Sequence, residues 1–147
     1  QTVINLTIYP KVSREKNLLF IKNMFKLTIL INLILVTVVL LNSEYIITVF
    51  AGSKMLQSTS LVNFLIFSIL LLAMKDVFGV QILIPNGYNR IFTKIILTSI
   101  FVYIIQIMLI WFALGFSSLN IITATLITEL FMVVYMFYYC KKLMLWK

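Results

Sequence analysis

Long apolar runs alternate along the chain with short polar breaks, and the runs have the length of membrane-spanning helices. Apolar positions dominate about 27–50, 60–84, 91–116 and 119–140. Each run offers roughly the 20 residues that a helix needs to cross a hydrocarbon core. The first is interrupted by Asn42, Ser43 and Glu44. It therefore predicts a helix over Leu27–Leu41, a break at an interface, and a short second piece reading YIITVFAG. The second run closes at Pro85-Asn86-Gly87, a strong turn sequence. Gly115 can end the third helix, and Ser117 or Ser118 can cap the start of the fourth.

Ahead of the first run, Lys11–Lys26 sets Leu18, Leu19, Ile21, Met24 and Phe25 against Lys16, Lys22 and Lys26 at roughly helical spacing. That pattern predicts an amphipathic helix lying at the membrane surface. The fold class expected is all-α: a polytopic transmembrane bundle of four spanning helices with an N-terminal interfacial helix. Residues 1–10 read as the tail of a further apolar helix, so the chain is expected to be a portion of a longer protein.

Composition agrees with this class. Of 147 residues, 63% are hydrophobic and 11% charged, too few polar residues to cover a water-soluble domain. The ten-residue alternating segments of an outer-membrane barrel are absent. The net charge of +8 would suit nucleic acid if it formed one patch, but it is sorted by segment. Lys11, Arg14, Lys16, Lys22 and Lys26 precede the first span, and Lys54 stands alone in the first connection. Arg90 and Lys94 follow the second span, no basic residue follows the third, and Lys141, Lys142 and Lys147 follow the fourth. Basic residues gather in cytoplasmic segments. The alternation thus predicts a four-span membrane protein with both ends of this segment cytoplasmic, and no nucleic-acid partner.

The chemistry that the residues can support is narrow. There is no histidine and one cysteine, Cys140, so His-based proton transfer, an internal disulfide and most transition-metal sites are excluded from this segment. Phosphate loops, zinc spacings and nucleophile elbows are also missing. No catalytic residue, metal or cofactor is expected, and the chain does not read as an enzyme. Cys140 reads as an inert thiol next to the membrane.

What remains is a set of polar residues inside apolar runs. Lys75 and Asp76 stand well within the second run, where ionisable residues are costly and face a protein interior or a water-filled cavity. Ser68, Lys75 and Gly79 share one helical face, while Asp76 lies one step round. One reading is a polar stripe along a cavity, with Lys75 meeting an anionic group. The other is a local salt bridge with Lys75 snorkelling to the surface, across about 13 Å of helix. Glu129 sits mid-way along the fourth run, near Thr125 and Thr128. It is a partner for a basic residue on another helix, a proton-linked carboxylate, or a protonated structural acid. Ser99, Tyr103 and Gln106 share a face of the third helix, and Thr28 and Asn32 form a packing pair on the first. Trp111, Trp146, Tyr135, Tyr138 and Tyr139 lie toward helix ends, as interface anchors do; sugar-stacking platforms are the other reading.

The helix order, loop lengths and charge layout resemble a known family. The stretch TVFAGSK, the long helix closing with QILIPNGYNRIFTK, and the last helix with TATLITEL and a terminal KK are similar to the C-terminal portion of bacterial polysaccharide flippases of the O-antigen exporter type. These belong to the multidrug/oligosaccharidyl-lipid/polysaccharide exporter superfamily. The resemblance implies a two-lobed transporter of about twelve helices, of which this chain supplies the last four. It implies movement of a lipid-linked oligosaccharide of polyprenyl pyrophosphate type across the inner membrane by alternating access. Membrane lipids and other polysaccharide-assembly proteins are the implied partners. Within it, Lys75 suits the cationic cavity and Arg90 the head group at the cytoplasmic turn, with Ser68, Asp76 and Glu129 as further substrate-contact candidates.

Two other classes stay open. An intact four-helix transporter acting as a dimer is one, a small drug exporter or sugar-lipid flippase; small drug exporters usually carry an early intramembrane glutamate, which the first span lacks before Glu44. A membrane-embedded glycan-assembly enzyme would usually carry large external loops, whereas only a few residues join the third and fourth helices.

Overall fold

The computed structural model describes residues 18–113, 115 and 117–146. Among these the regular secondary structure is entirely helical. α1 spans Leu18–Leu41 and α2 spans Ser43–Ala51. A 3-10 stretch, Ser53–Ser58, leads into α3 (Thr59–Leu65) and α4 (Phe67–Lys75). A π-helical segment, Asp76–Leu83, extends α4; α5 covers Asn89–Ala113 and α6 covers Ser118–Lys142. Four stretches are long and apolar enough to cross a membrane: Leu19–Leu41, Ser53–Leu83, Asn89–Ala113 and Ser118–Lys142. The chain is a membrane-embedded, multi-pass helical bundle.

The helix ends follow local chemistry. α1 stops at Asn42, whose side-chain Nδ2 donates to the carbonyl of Val38 at 2.8 Å, and whose backbone N–H is shared between Val38 and Val39. An asparagine that competes for backbone acceptors in this way disfavours the helix interior. Pro85-Asn86-Gly87 forms the predicted turn. Asn86 donates to the carbonyl of Ile82 at 2.8 Å, and Gly87 takes φ +85°, a conformation open to glycine. Ser117 occupies the N-cap position of α6 in an extended conformation, but its hydroxyl makes no capping bond.

Two boundaries differ from expectation. The part of the amphipathic stretch from 18 to 26 is the opening of α1 rather than a separate surface helix. No glycine or proline interrupts residues 18–41, so the helix runs on. Ile21 is buried, and Phe25 rests against the Phe78 ring at 5.6 Å between centroids. Ile21 and Phe25 on the apolar side of this stretch therefore cover protein, while Leu19 stays exposed. Its first part, residues 11–17, lies outside the described residues. The second run is also segmented: α3 gives way to α4 at Ile66, and α4 to wider π-helical turns at Asp76.

The core sits at one end of the bundle. It gathers Ile21 of α1, Val77, Phe78, Ile82 and Leu83 of the π segment, Ile95 of α5, and Val133, Met136 and Cys140 of α6. α5 lies along α6, and α4 packs against both α1 and α6. After α6 the chain folds back: the N–H groups of Leu145 and Trp146 both donate to the carbonyl of Cys140, with Met144 left-handed at φ +54°. Such a bonded reversal satisfies carbonyls that the helix end would otherwise leave open. It turns Trp146 inward, edge-on to Phe25 and Phe78 at 5.8 and 5.4 Å, with the Lys22 ammonium 5.3 Å from its ring.

Cys140 is fully buried, and its thiol donates to the carbonyl of Phe78 at 3.6 Å. A maleimide reagent is expected to label Cys140 in SDS but not in mild detergent. Equal labelling in both would show that this end of the bundle is open.

Candidate functional site: an intramembrane ion pair beside a hydroxyl-lined groove

Lys75 is the last residue of α4, and Glu129 lies near the middle of α6. Contact between α4 and α6 brings the Lys75 Nζ to 3.2 Å from Glu129 Oε1. Their side chains are only 14% and 18% exposed. Two opposite charges removed from water attract each other strongly at this distance. Neither would be tolerated alone in an apolar span. Of the three roles open to Glu129, partnership with a basic residue on another helix is the one found. The ion pair of Lys75 is thus made between helices, across 54 residues of sequence.

The pair is incompletely satisfied. Glu129 Oε2 is buried and has no hydrogen-bond partner among the described residues. A carboxylate can accept bonds at both oxygens, and leaving a buried acceptor unmet costs about 1–3 kcal/mol. Glu129 also lines a groove of about 290 Å³ between α5 and α6, together with Ser99, Tyr103, Thr125 and Thr128. Three of these hydroxyls are already engaged. Ser99 donates to the carbonyl of Ile95, Thr125 to that of Ile121, and Thr128 to that of Ala124. Thr128 Oγ1 also lies 3.4 Å from Gln106 Oε1, joining α6 to α5. The polar faces of α5 and α6 thus meet each other, and part of their surface stays open as the groove.

The π-helical segment begins directly after Lys75. Within it Gly79 is packed shut: an added Cβ would stand 2.5 Å from Phe92 Cε2 and 3.2 Å from Met136 Sδ. The glycine on the predicted polar stripe therefore serves close helix packing. π turns within α-helices occur often at functional sites, and here one follows the charged residue immediately.

The remaining candidates are dispersed. Ser68, half-buried in α4, donates to the carbonyl of Leu65 at 2.7 Å. Asp76 opens the π segment and is half-buried. Arg90 is exposed in the first turn of α5. Among the aromatic candidates, Tyr135, Tyr138 and Tyr139 form a chain of ring contacts at 5.3 and 5.5 Å, and the Lys142 ammonium lies 5.9 Å from the Tyr138 ring. Among the described residues no cluster of three or more His, Cys, Asp or Glu is placed to hold a metal ion.

Spacing within each helix had marked the polar faces of α5 and α6, but not their apposition. The close approach of Gly79 to Phe92 carries no sequence signal beyond the glycine itself. No family model, curated protein or solved structure matches the chain.

Proposed function

We propose that this chain is the four-span portion of a bacterial inner-membrane flippase. It moves a lipid-linked oligosaccharide, an O-antigen or capsule repeat unit, by alternating access. The observation that carries the reading is the Lys75–Glu129 pair, two opposite charges kept on neighbouring helices within membrane spans. Ionisable residues at such depth mark substrate pathways by default.

The working element is the exchange of Lys75 partners. At rest Glu129 neutralises the lysine. A pyrophosphate-linked head group presents oxygens of the same sign, with more charge, and competes for the ammonium. Glu129, released, has both oxygens available to sugar hydroxyls, and the groove hydroxyls of Tyr103 and Thr125 stand beside it. The π turns after Lys75 give the helix a place to change register as the lobes rock. The chain binds and releases; it makes and breaks no covalent bond. Both ends of the segment lie in the cytoplasm in this reading, near the polysaccharide-assembly proteins that supply the cargo.

In a strain lacking the chromosomal gene, the whole protein carrying Lys75→Ala, compared at equal membrane abundance, is expected to lower surface polysaccharide about tenfold or more. Loss of one strong charge-assisted contact of roughly 1.5–3 kcal/mol sets that scale. Undiminished surface polysaccharide at equal membrane abundance would sink the cargo role of Lys75.

A further inference from the structure

The basic residues at the start of α5 stand apart from the Lys75–Glu129 pair. Arg90, Lys94, Leu97 and Phe101 fall within about 60° of one another around the helix. Ile95 and Ser99, which are buried, face the opposite side. The face carrying Arg90 therefore points away from the bundle, toward the bilayer. Along it runs a shallow groove of about 440 Å³, lined by Asn89, Arg90, Thr93, Lys94, Leu97 and Phe101, among others. Its two ends differ in chemistry: cations and hydrogen-bond donors at one, exposed apolar side chains at the other. The span from Arg90 to Phe101 is about 16 Å of helix, comparable to half a hydrocarbon core.

We infer that this groove is a binding site for an anionic glycerophospholipid. The phosphate sits between Arg90 and Lys94, and an acyl chain runs over Leu97 and Phe101. Charge complementarity argues for that occupant. The first turn of α5 holds no acidic residue, and the positive end of the helix dipole adds to the two side-chain charges rather than offsetting them. Three like-signed features in one place attract an anion. The apolar half of the groove selects one that carries a hydrocarbon chain. The groove lies at the same end of the bundle as Lys22, Lys141 and Lys142, since Tyr88, Trp146 and Leu143 all pack on the core there. This end faces an anionic leaflet if basic residues set the orientation. The site needs a bilayer around the four spans, but no particular cargo.

The test uses the full chain, purified from membranes and exchanged into equal amounts of phosphatidylglycerol and phosphatidylcholine with matched acyl chains. Lipids retained after delipidation are counted by native mass spectrometry. Retention of phosphatidylglycerol is expected to exceed that of phosphatidylcholine by roughly fivefold for each of the two basic residues. The preference is expected to vanish in Arg90→Gln/Lys94→Gln and to persist in the charge-preserving Arg90→Lys/Lys94→Arg. An excess of glycerophosphate, which has the phosphate but no chains, is expected to leave the lipid in place. Equal retention of the two lipids by the unaltered protein would overturn the inference. So would an undiminished preference in Arg90→Gln/Lys94→Gln, which would place the lipid elsewhere. Displacement by glycerophosphate would also overturn it, as a site for a free phosphate group rather than a lipid.

Discussion

Glu129→Leu alone is expected to cost about 3 kcal/mol of stability, while Lys75→Met/Glu129→Leu is expected to restore most of it. Breaking a buried pair from one side leaves an uncompensated charge and typically costs 3–5 kcal/mol. The 14% and 18% exposure of the two side chains puts the lower end of that range in force. Lys75 can recover part of the loss by snorkelling, but about 13 Å of helix lies between it and the end of the run at Ile84. Replacing both partners by apolar residues of similar volume removes the desolvation penalty together with the attraction, an exchange that is often neutral or stabilising. The measurement is unfolding by SDS titration in mixed micelles, followed by tryptophan fluorescence from Trp111 and Trp146. If the single variant is as stable as the double, the pair is too well hydrated to matter to the fold. The double variant also separates structure from function: it is expected to fold and to carry no cargo. Wild-type surface polysaccharide with this variant would make the pair a purely structural element.

Gly79→Ala is expected to destabilise the bundle by about 1–2 kcal/mol, against its helix propensity. Alanine in place of glycine in a helix interior normally gains roughly 1 kcal/mol. Here the new methyl group meets the Phe92 ring at 2.5 and 3.1 Å and Met136 Sδ at 3.2 Å. Two of these approaches involve a ring held between the π segment and α5, so overpacking of about 1–3 kcal/mol is expected. Phe92→Leu shortens the side chain at the point of conflict. Gly79→Ala in that background is expected to be neutral or stabilising, so the two substitutions couple with opposite sign to their separate effects. Additive effects in a double-mutant cycle would show that the ring moves aside freely and that the contact does not fix the helix spacing. Because Gly79 sits four residues beyond Lys75, the same variants report on whether the proposed transport cycle needs the π turns to shift.

Much of the architecture was legible in one dimension because the bilayer imposes a one-dimensional rule. A span needs a continuous apolar run of a set length, so runs and their polar breaks mark the helices directly. The break at Asn42 and the turn at Pro85-Asn86-Gly87 were visible for the same local reasons, a competing side-chain amide and a residue pair that cannot continue a helix. The boundary at Lys26 was not. Amphipathic spacing records that one face is apolar, but not whether lipid or protein covers it, and Ile21 and Phe25 are covered by protein. The π turns after Asp76 were invisible because their hydrogen-bond register depends on how Phe78, Gly79 and Leu83 pack against three other helices.

The candidate site divides in the same way. From its sequence alone the protein was determined to be an all-helical, four-span membrane bundle carrying Lys75, Asp76 and Glu129 within apolar runs. A charge in an apolar run is conspicuous by its desolvation cost, whatever surrounds it. Only the tertiary structure decided that Lys75 meets Glu129, that Gly79 closes a helix contact instead of opening a cavity, and that Arg90 points outward with Lys94. Ion pairing and close packing depend on the azimuth and depth at which two helices meet. Those quantities are set by side chains distant in sequence, and helical spacing within a single segment does not contain them.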